Sequence, residues 1–204
     1  VTQRMRAHGI EAFGCYGLTE CSPCVSVNRD GWHKDGSCGV ALRCNEVRTG
    51  DDGEVLVRGV NVMAGYLGRP ELTAARVNRD GWLHTGDVGH IDKDGFLFVD
   101  GRLDDVIVLA DGTMVAPEVL ERALGAHPAI AQALVYGMPN KRSGQVVLAC
   151  KLALRDSTDC DAERDAVDFA RSMQTPDGAR IERVEVTHEP LPLSPTGKLL
   201  RRQA

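Results

Sequence analysis

Four short stretches of this sequence carry side chains that could do chemistry. Tyr16-Gly17-Leu18-Thr19-Glu20 sets a flat ring, a flexible turn, a hydroxyl and a carboxylate within one short run. Such groups can stack a base, hold a phosphate oxygen and offer an oxygen ligand to a divalent cation. Trp82-Leu83-His84-Thr85-Gly86-Asp87 places a carboxylate after a glycine turn, where it can accept two hydrogen bonds from a ribose diol. Gly101-Arg102 supplies a permanently charged fork that suits ribose oxygens or phosphate. Pro192 to Arg202 holds Lys198 on a loop constrained by proline and glycine, ahead of a basic tail. Each stretch, taken singly, has a plainer reading. Thr19 would cap a helix, Asp87 would cap a turn, Arg102 would pair on the surface with Asp100 or Asp104, and the tail would be solvated charge.

Two familiar motifs are excluded by spacing. Gly197-Lys198 is not a phosphate-binding P-loop, because that motif needs glycine where Pro192 stands and Ser or Thr where Leu199 stands. Cys21 and Cys24 resemble half of a zinc site, but Cys38 and Cys44 are too widely spaced to complete it. The cysteines read as buried or incidental thiols.

The elements that must position these groups fall into two patterns. From about Gly36 to Val99 the chain reads as short strands between turns. Glu54–Arg58 and Phe96–Val99 are strand candidates, and Asp-Gly pairs at 30–31, 52–53, 80–81 and 94–95 mark turns. A short helix fits Glu71–Val77. Beyond Gly101-Arg102, strands and helices alternate. Val106–Leu109 leads to an Asp111-Gly112 turn, and Pro117 suits a first helical position, with Glu118 and Glu121 near the positive end of the helix dipole. Strands are predicted at Ile130–Tyr136 and Val146–Leu154, a helix through Ala162 to Met173, and a last strand over Ile181–Val186. The expected fold is α+β: a β-rich region over 1–100, then a mobile α+β domain over 101–204. The charged joint at 100–105 would act as a hinge.

The bulk properties bound the function. The 204 residues are 43% hydrophobic and 26% charged, the balance of a globular protein. Aromatics make up only 4%, so the core must rest on Val, Leu, Ile and Ala. A net charge of −5 with scattered basic residues gives no footprint for nucleic acid. No apolar run approaches the ~20 residues of a membrane span. Seven cysteines, an odd number and without a leader-like start, fit reduced thiols and a cytoplasmic setting.

Taken together and in order, the motifs resemble the adenylate-forming superfamily, which includes acyl-CoA synthetases, fatty-acyl-AMP ligases, peptide-synthetase adenylation domains and luciferases. Tyr16–Glu20 is similar to its aromatic-Gly-x-Thr-Glu motif. Gly53-Glu54 through Gly59, with Gly65-Tyr66, resembles the next signature, and Thr85-Gly86-Asp87 the one after. Gly101–Ile107, with the Gly112 turn and Pro117-Glu118, matches the hinge and its loop. Pro195-Thr196-Gly197-Lys198 with Arg201 matches the C-terminal lysine motif. The fifteen-residue interval from Asp87 to Arg102 also agrees with the family.

The resemblance implies an acyl-CoA synthetase using ATP, Mg²⁺ and CoA on a carboxylic, by expectation fatty, acid. An acyl-AMP forms first, and a thiol then takes the acyl group. It assigns Lys198 to the carboxylate and α-phosphate, Glu20 to Mg²⁺, Thr19 to a phosphate, Tyr16 to the adenine face, Asp87 and Arg102 to the ribose, and Gly17 to the nucleotide-binding positions. Asp104 takes the hinge position, and the loop around Gly112 approaches the thiol. Only the C-terminal portion of the family's length is represented, without the upstream Ser/Thr/Gly-rich phosphate loop, so the expectation is a fragment inactive alone. The alternatives are a fatty-acyl-AMP ligase or a carrier-protein-loading adenylation enzyme and, from another class, a non-catalytic module that binds nucleotide or a partner. A compact Glu20–Thr85 stretch and Asp104 at the hinge favour free CoA as acceptor.

Overall fold

The computed structural model describes residues 2–140, 142–155, 159–194 and 199–201. The chain divides into two compact units, 1–104 and 105–204. The division falls four residues past the 100/101 boundary expected from the sequence, because strand and turn structure of the first unit continues through Asp104.

In the first unit, helix α1 (Thr2–Ala7) precedes a three-stranded antiparallel sheet of β1 (Cys15–Gly17), β2 (Cys24–Val27) and β3 (Val40–Ala41). A second antiparallel sheet runs in chain order through β4 (Asn45–Thr49), β5 (Glu54–Gly59), β6 (Leu83–Ile91) and β7 (Leu97–Arg102). Helix α2 (Pro70–Arg76) lies between β5 and β6, with Pro70 at its first turn, where its missing N–H costs nothing. Val25, Val55, Val57, Leu83, Leu97 and Cys21 form the core. Burial pushes the Cys21 thiol up to about 11, so it packs as a small apolar group.

The β6–β7 hairpin does most to position the chemistry. Its turn is closed by Asp92, whose carboxylate accepts from the Asp94 and Phe96 amides at 3.0 and 2.9 Å. Gly95 takes the left-handed φ of 84° that this turn requires. Counting back along the ladder, Asp87 stands directly opposite Arg102. The fifteen-residue spacing seen in the sequence is thus the length of a hairpin.

The second unit contains β8 (Ile107–Val108) and β9 (Met114–Val115), paired across the Asp111-Gly112 turn. Helix α3 (Pro117–Leu124) then packs on β10 (Ile130–Pro139), which is antiparallel to β11 (Val146–Leu154). Helix α4 (Cys160–Ser172) carries the chain back so that β12 (Ile181–Thr187) lies parallel to β11, the geometry that needs a crossover. The Asp159 carboxylate accepts from the amides of Asp161 and Ala162 and so starts α4. Leu124, Ile130, Leu148 and Leu152 are among the fully buried side chains, joined by Cys150. Each buried leucine contributes about 1.5–3 kcal/mol.

Several expectations need revision. Residues 83–91 form a nine-residue strand, not a turn followed by a cap. The stretch from Thr19 opens a 3-10 turn (Thr19–Cys21) whose preceding residue is Leu18, so Thr19 is not its cap. Strand β10 runs three residues past Tyr136. No helix among the described residues is long and apolar enough to cross a membrane.

Candidate functional site

The first unit brings four of the candidate residues together. The Tyr16 hydroxyl donates to one oxygen of Asp87 at 2.5 Å, and the Arg102 guanidinium donates to the other at 2.7 Å. Burial, reinforced by the Asp87 carboxylate, raises the Tyr16 phenol far above its ordinary value, so it remains a donor at any physiological pH. Burial alone would lower the Arg102 guanidinium, but Asp87 outweighs it and the net shift is upward. Arg102 therefore pairs inward with Asp87, while Asp100 is engaged by His90 at 2.9 Å. A carboxylate offers about four lone-pair sites, and these two partners leave room on Asp87 for a diol.

Glu20 stands at the end of the same strand–turn. Its Oε1 accepts from the Tyr66 hydroxyl at 2.6 Å. That hydrogen bond, helped by the charges of Arg76 and Arg102 and opposed by partial burial, holds the carboxyl below its ordinary value. Glu20 is thus an ionised, hard oxygen donor, the type that Mg²⁺ takes. Among the described residues no set of three acidic, His or Cys side chains could hold a metal, so a cation here would be completed by phosphate oxygens and water, as Mg²⁺ sites usually are. The phenylalanine variant Tyr66→Phe should raise the Glu20 carboxyl towards its ordinary value while leaving the fold intact. An NMR titration of the Glu side-chain carboxyls would show it, and an unmoved Glu20 curve would assign the shift to the two arginines instead.

Arg102 and Tyr66 also border a pocket of about 580 Å³, lined by Glu54, Arg76, His84 and Gly86 among others, with Asp104 at its exposed rim. Glu54 is buried; it accepts from the Gly86 amide at 2.7 Å and holds His84 Nδ1 at 2.7 Å. This fixes the backbone just before Asp87. Gly86 has φ 70°, in the left-handed region, and a Cβ there would meet Arg102 Nη2 at 2.8 Å. The φ favours glycine, and a Cβ there would also push the guanidinium aside.

Gly17 sits in β1 against the Pro23 carbonyl, and Thr19 is exposed at the start of its 3-10 turn. Asp104 lies in a second 3-10 turn, Leu103–Asp105, where the two units meet along the chain. Gly112 belongs to the second unit, with φ 87° at the tip of the β8–β9 turn. Lys198 lies outside the described residues. On either side of the undescribed segment, Leu193 bridges Leu199, and the Leu200 amide donates to the Pro192 carbonyl at 3.0 Å. Sequence reasoning did not single out Tyr66, Arg76 or Glu54 as site residues. Gly65-Tyr66 and Glu54 stood inside a quoted motif, but nothing in their local sequence says that they face Glu20 and Asp87.

Comparison with known proteins places these groups in context. A profile described as AMP-binding enzyme matches residues 1–67, and one described as AMP-binding enzyme C-terminal domain matches residues 119–198. The chain is 37% identical to 4-coumarate--CoA ligase 1 of Arabidopsis thaliana, over 92% of this chain and 35% of that protein. It spans about a third of the length of such relatives. Among solved structures it resembles o-succinylbenzoate CoA synthetase of Bacillus subtilis in complex with ATP and magnesium ion (TM-score 0.80, 30% identity, 99% of this chain and 43% of that one). It also resembles an anthranilate CoA ligase in complex with anthranoyl-AMP (TM-score 0.80, 26% identity, 97% of this chain and 40% of that one). These relatives are named for aromatic acids and lend no support to the fatty acid expected from the sequence.

Proposed function

The chain belongs to the AMP-binding, adenylate-forming enzymes, and on that premise we propose that it supplies the nucleotide-ribose clamp and the C-terminal domain of an acid–thiol ligase. The reaction would join a carboxylic acid to AMP at the expense of ATP, then pass the acyl group to CoA. The observation that carries this reading is the Tyr16–Asp87–Arg102 cluster, built by the facing registry of Asp87 and Arg102. A purely structural hairpin needs no half-buried phenol aimed at a carboxylate that is already paired with a guanidinium. The names of the relatives favour an aromatic acid over a fatty acid, and free CoA over a carrier protein. ATP, CoA and seven cysteines free of disulfides fit a cytoplasmic reaction.

Within this reading Asp87 and Arg102 hold the ribose, Tyr16 and Gly17 border the adenine, and Thr19 contacts a phosphate. Mg²⁺ on Glu20 would neutralise phosphate charge. Lys198 brings its ammonium to the carboxylate and α-phosphate as negative charge gathers there. Because Lys198 serves only the first step, the second unit would turn about Asp104 and present the Gly112 loop for thiol transfer. These 204 residues, spanning a third of the relatives' length, would be inactive without the remainder.

The reading is tested in a full-length enzyme containing these residues. Pyrophosphate release and thioester formation would be followed separately with a panel of aromatic and fatty acids. Aromatic acids should turn over faster by at least about tenfold, the scale of a single methylene-sized mismatch in a pocket; preference for fatty acids would reverse the substrate assignment. Asp104→Pro fixes φ at the joint. It should leave pyrophosphate release within about threefold and lower thioester formation about tenfold or more. Equal loss of both steps would remove Asp104 as the pivot.

A further inference from the structure

Arg76 ends helix α2, and nothing in the motifs called attention to it. Its Nη1 donates to the His84 carbonyl at 3.1 Å, and among the described residues no carboxylate forms an ion pair with it. It points at the same spot as Arg102. A Cβ built on Gly86 would meet Arg102 Nη2 at 2.8 Å and Arg76 Nη1 at 3.2 Å, so these two nitrogens are no farther apart than the sum of those distances. Gly86 leaves that spot bare, and the pocket opens onto it. Arg102 already has the Asp87 carboxylate as a partner, but among the described residues no salt bridge neutralises Arg76, and an anion at this spot would pair with it.

We propose that Arg76 and Arg102 form a two-guanidinium clamp over Gly86 that takes the phosphoryl oxygens of an adenine nucleotide. Two charge-assisted N–H···O bonds of about 2.8 Å each can span such a gap through a single tetrahedral anion. Carboxylates also surround the gap, but their oxygens are turned to other partners or to its edge, so what the gap offers an anion is the N–H donors of the two guanidiniums. Glu54 is committed to His84 and the Gly86 amide. Asp104 sits on the exposed rim, and Asp87 is shared between Tyr16 and Arg102 on the far side. The Glu20 carboxylate lies near enough to both arginines to feel their charge, so a cation on Glu20 and the clamp would grip one phosphate chain from two sides. Arg102 in this role adds a phosphate contact to the ribose contact proposed above, and Arg76 is the new residue. The phosphate could arrive on ATP and leave as pyrophosphate, or belong to the diphosphate of CoA; the chemistry is shared.

This inference rests on the nucleotide reading, and its test separates the two. Adenosine, AMP, inorganic pyrophosphate and CoA would each be titrated into the 204-residue chain, wild type and the variants Arg76→Ala and Arg76→Lys, with binding followed by NMR up to millimolar ligand. Arg76→Ala should weaken AMP or pyrophosphate about tenfold, the scale of one lost charge-assisted hydrogen bond. Adenosine should bind as before and Arg76→Lys should fall between. Weakening confined to CoA would support the clamp and assign its anion to that substrate. Pyrophosphate binding that depends on Arg76, in a chain that binds no adenosine or AMP, would keep the clamp and sink the nucleotide reading. Unchanged affinity for every anion in Arg76→Ala, equal weakening of adenosine, or no anion bound by the wild type would overturn the clamp.

Discussion

Replacing Arg201 with methionine should cost the second unit about 3 kcal/mol, at the lower end of what removing one member of a buried ion-pair network costs. Arg201 gathers three carboxylates. Its Nη1 meets Glu121 at 2.6 Å, Nη2 meets Glu118 at 3.0 Å, and Nε meets Asp105 at 3.3 Å. Its side chain is only 17% exposed and that of Glu121 only 11%. Burial pulls the guanidinium down, but Glu121 and Glu118 outweigh burial and hold it above its ordinary value. Burial also drives the Glu118 carboxyl up despite Arg201. In Arg201→Met the glutamates keep their burial and lose their partner, so the defect has a definite pH signature. A carboxyl raised in the folded state binds more protons there than in the unfolded chain, so stability falls as pH rises through the glutamate range. The deficit should be full near neutral pH, shrink as pH falls towards the ordinary glutamate range because Glu118 takes up its proton early in the folded state, and be smallest below about pH 4. Thermal unfolding of the second unit should show a midpoint lowered by roughly 12–24 °C, the scale for a unit of about a hundred residues. Glu121→Gln added to Arg201→Met should recover part of that. A loss independent of pH, with no recovery in the double variant, would mean that Arg201 acts through packing alone.

What could be read from the sequence was set by locality. Helix α3 was legible because Pro117, the acidic first turn and the Leu120/Leu124 stripe all act within one segment. Strand β11 was legible with both ends because Val146–Leu154 is a run of apolar residues broken only by Lys151. Strand β6 was missed as a strand because Gly86 and Gly89 interrupt it and its charged Asp87 points to a partner fifteen residues away. The ring of candidates was legible only as types in order. Tyr16, Glu20, Asp87 and Arg102 stood out by resemblance, but that Tyr16 and Arg102 share Asp87 depends on a ladder register and on a contact 71 residues apart. Tyr66 and Arg76 had no sequence signal of their own. Their meaning comes from lying beside Glu20 and over Gly86, which no local pattern encodes. The Arg102 pairing shows the same limit: nearby Asp100 and Asp104 were the natural partners by spacing, and a cross-strand carboxylate took their place.

Lys198→Ala should lower acyl-adenylate formation about 10²-fold or more, the scale of removing one preorganised donor from a developing oxyanion. The proposed role demands a lysine that is both charged and held, and the segment after it is held in three ways. Leu199 bridges Leu193, Leu200 donates to Pro192, and Arg201 is tied to helix α3 by Glu118 and Glu121. Holding the backbone on the C-terminal side of the lysine narrows the region that its flexible side chain must search, which is the sense in which this segment would preorganise the ammonium. Arg201→Met should therefore also weaken the first step, and do so through placement. At a temperature where the variant stays folded, its adenylation rate should fall less than that of Lys198→Ala. Thioester formation from preformed acyl-AMP should be nearly unchanged in Lys198→Ala, since the proposed mechanism uses the ammonium in adenylation alone. ATP–pyrophosphate exchange and single-turnover transfer from synthetic acyl-AMP measure the two steps apart in a full-length enzyme. Exchange at the wild-type rate in Lys198→Ala would take the lysine out of the chemistry, whatever the ribose clamp goes on to bind.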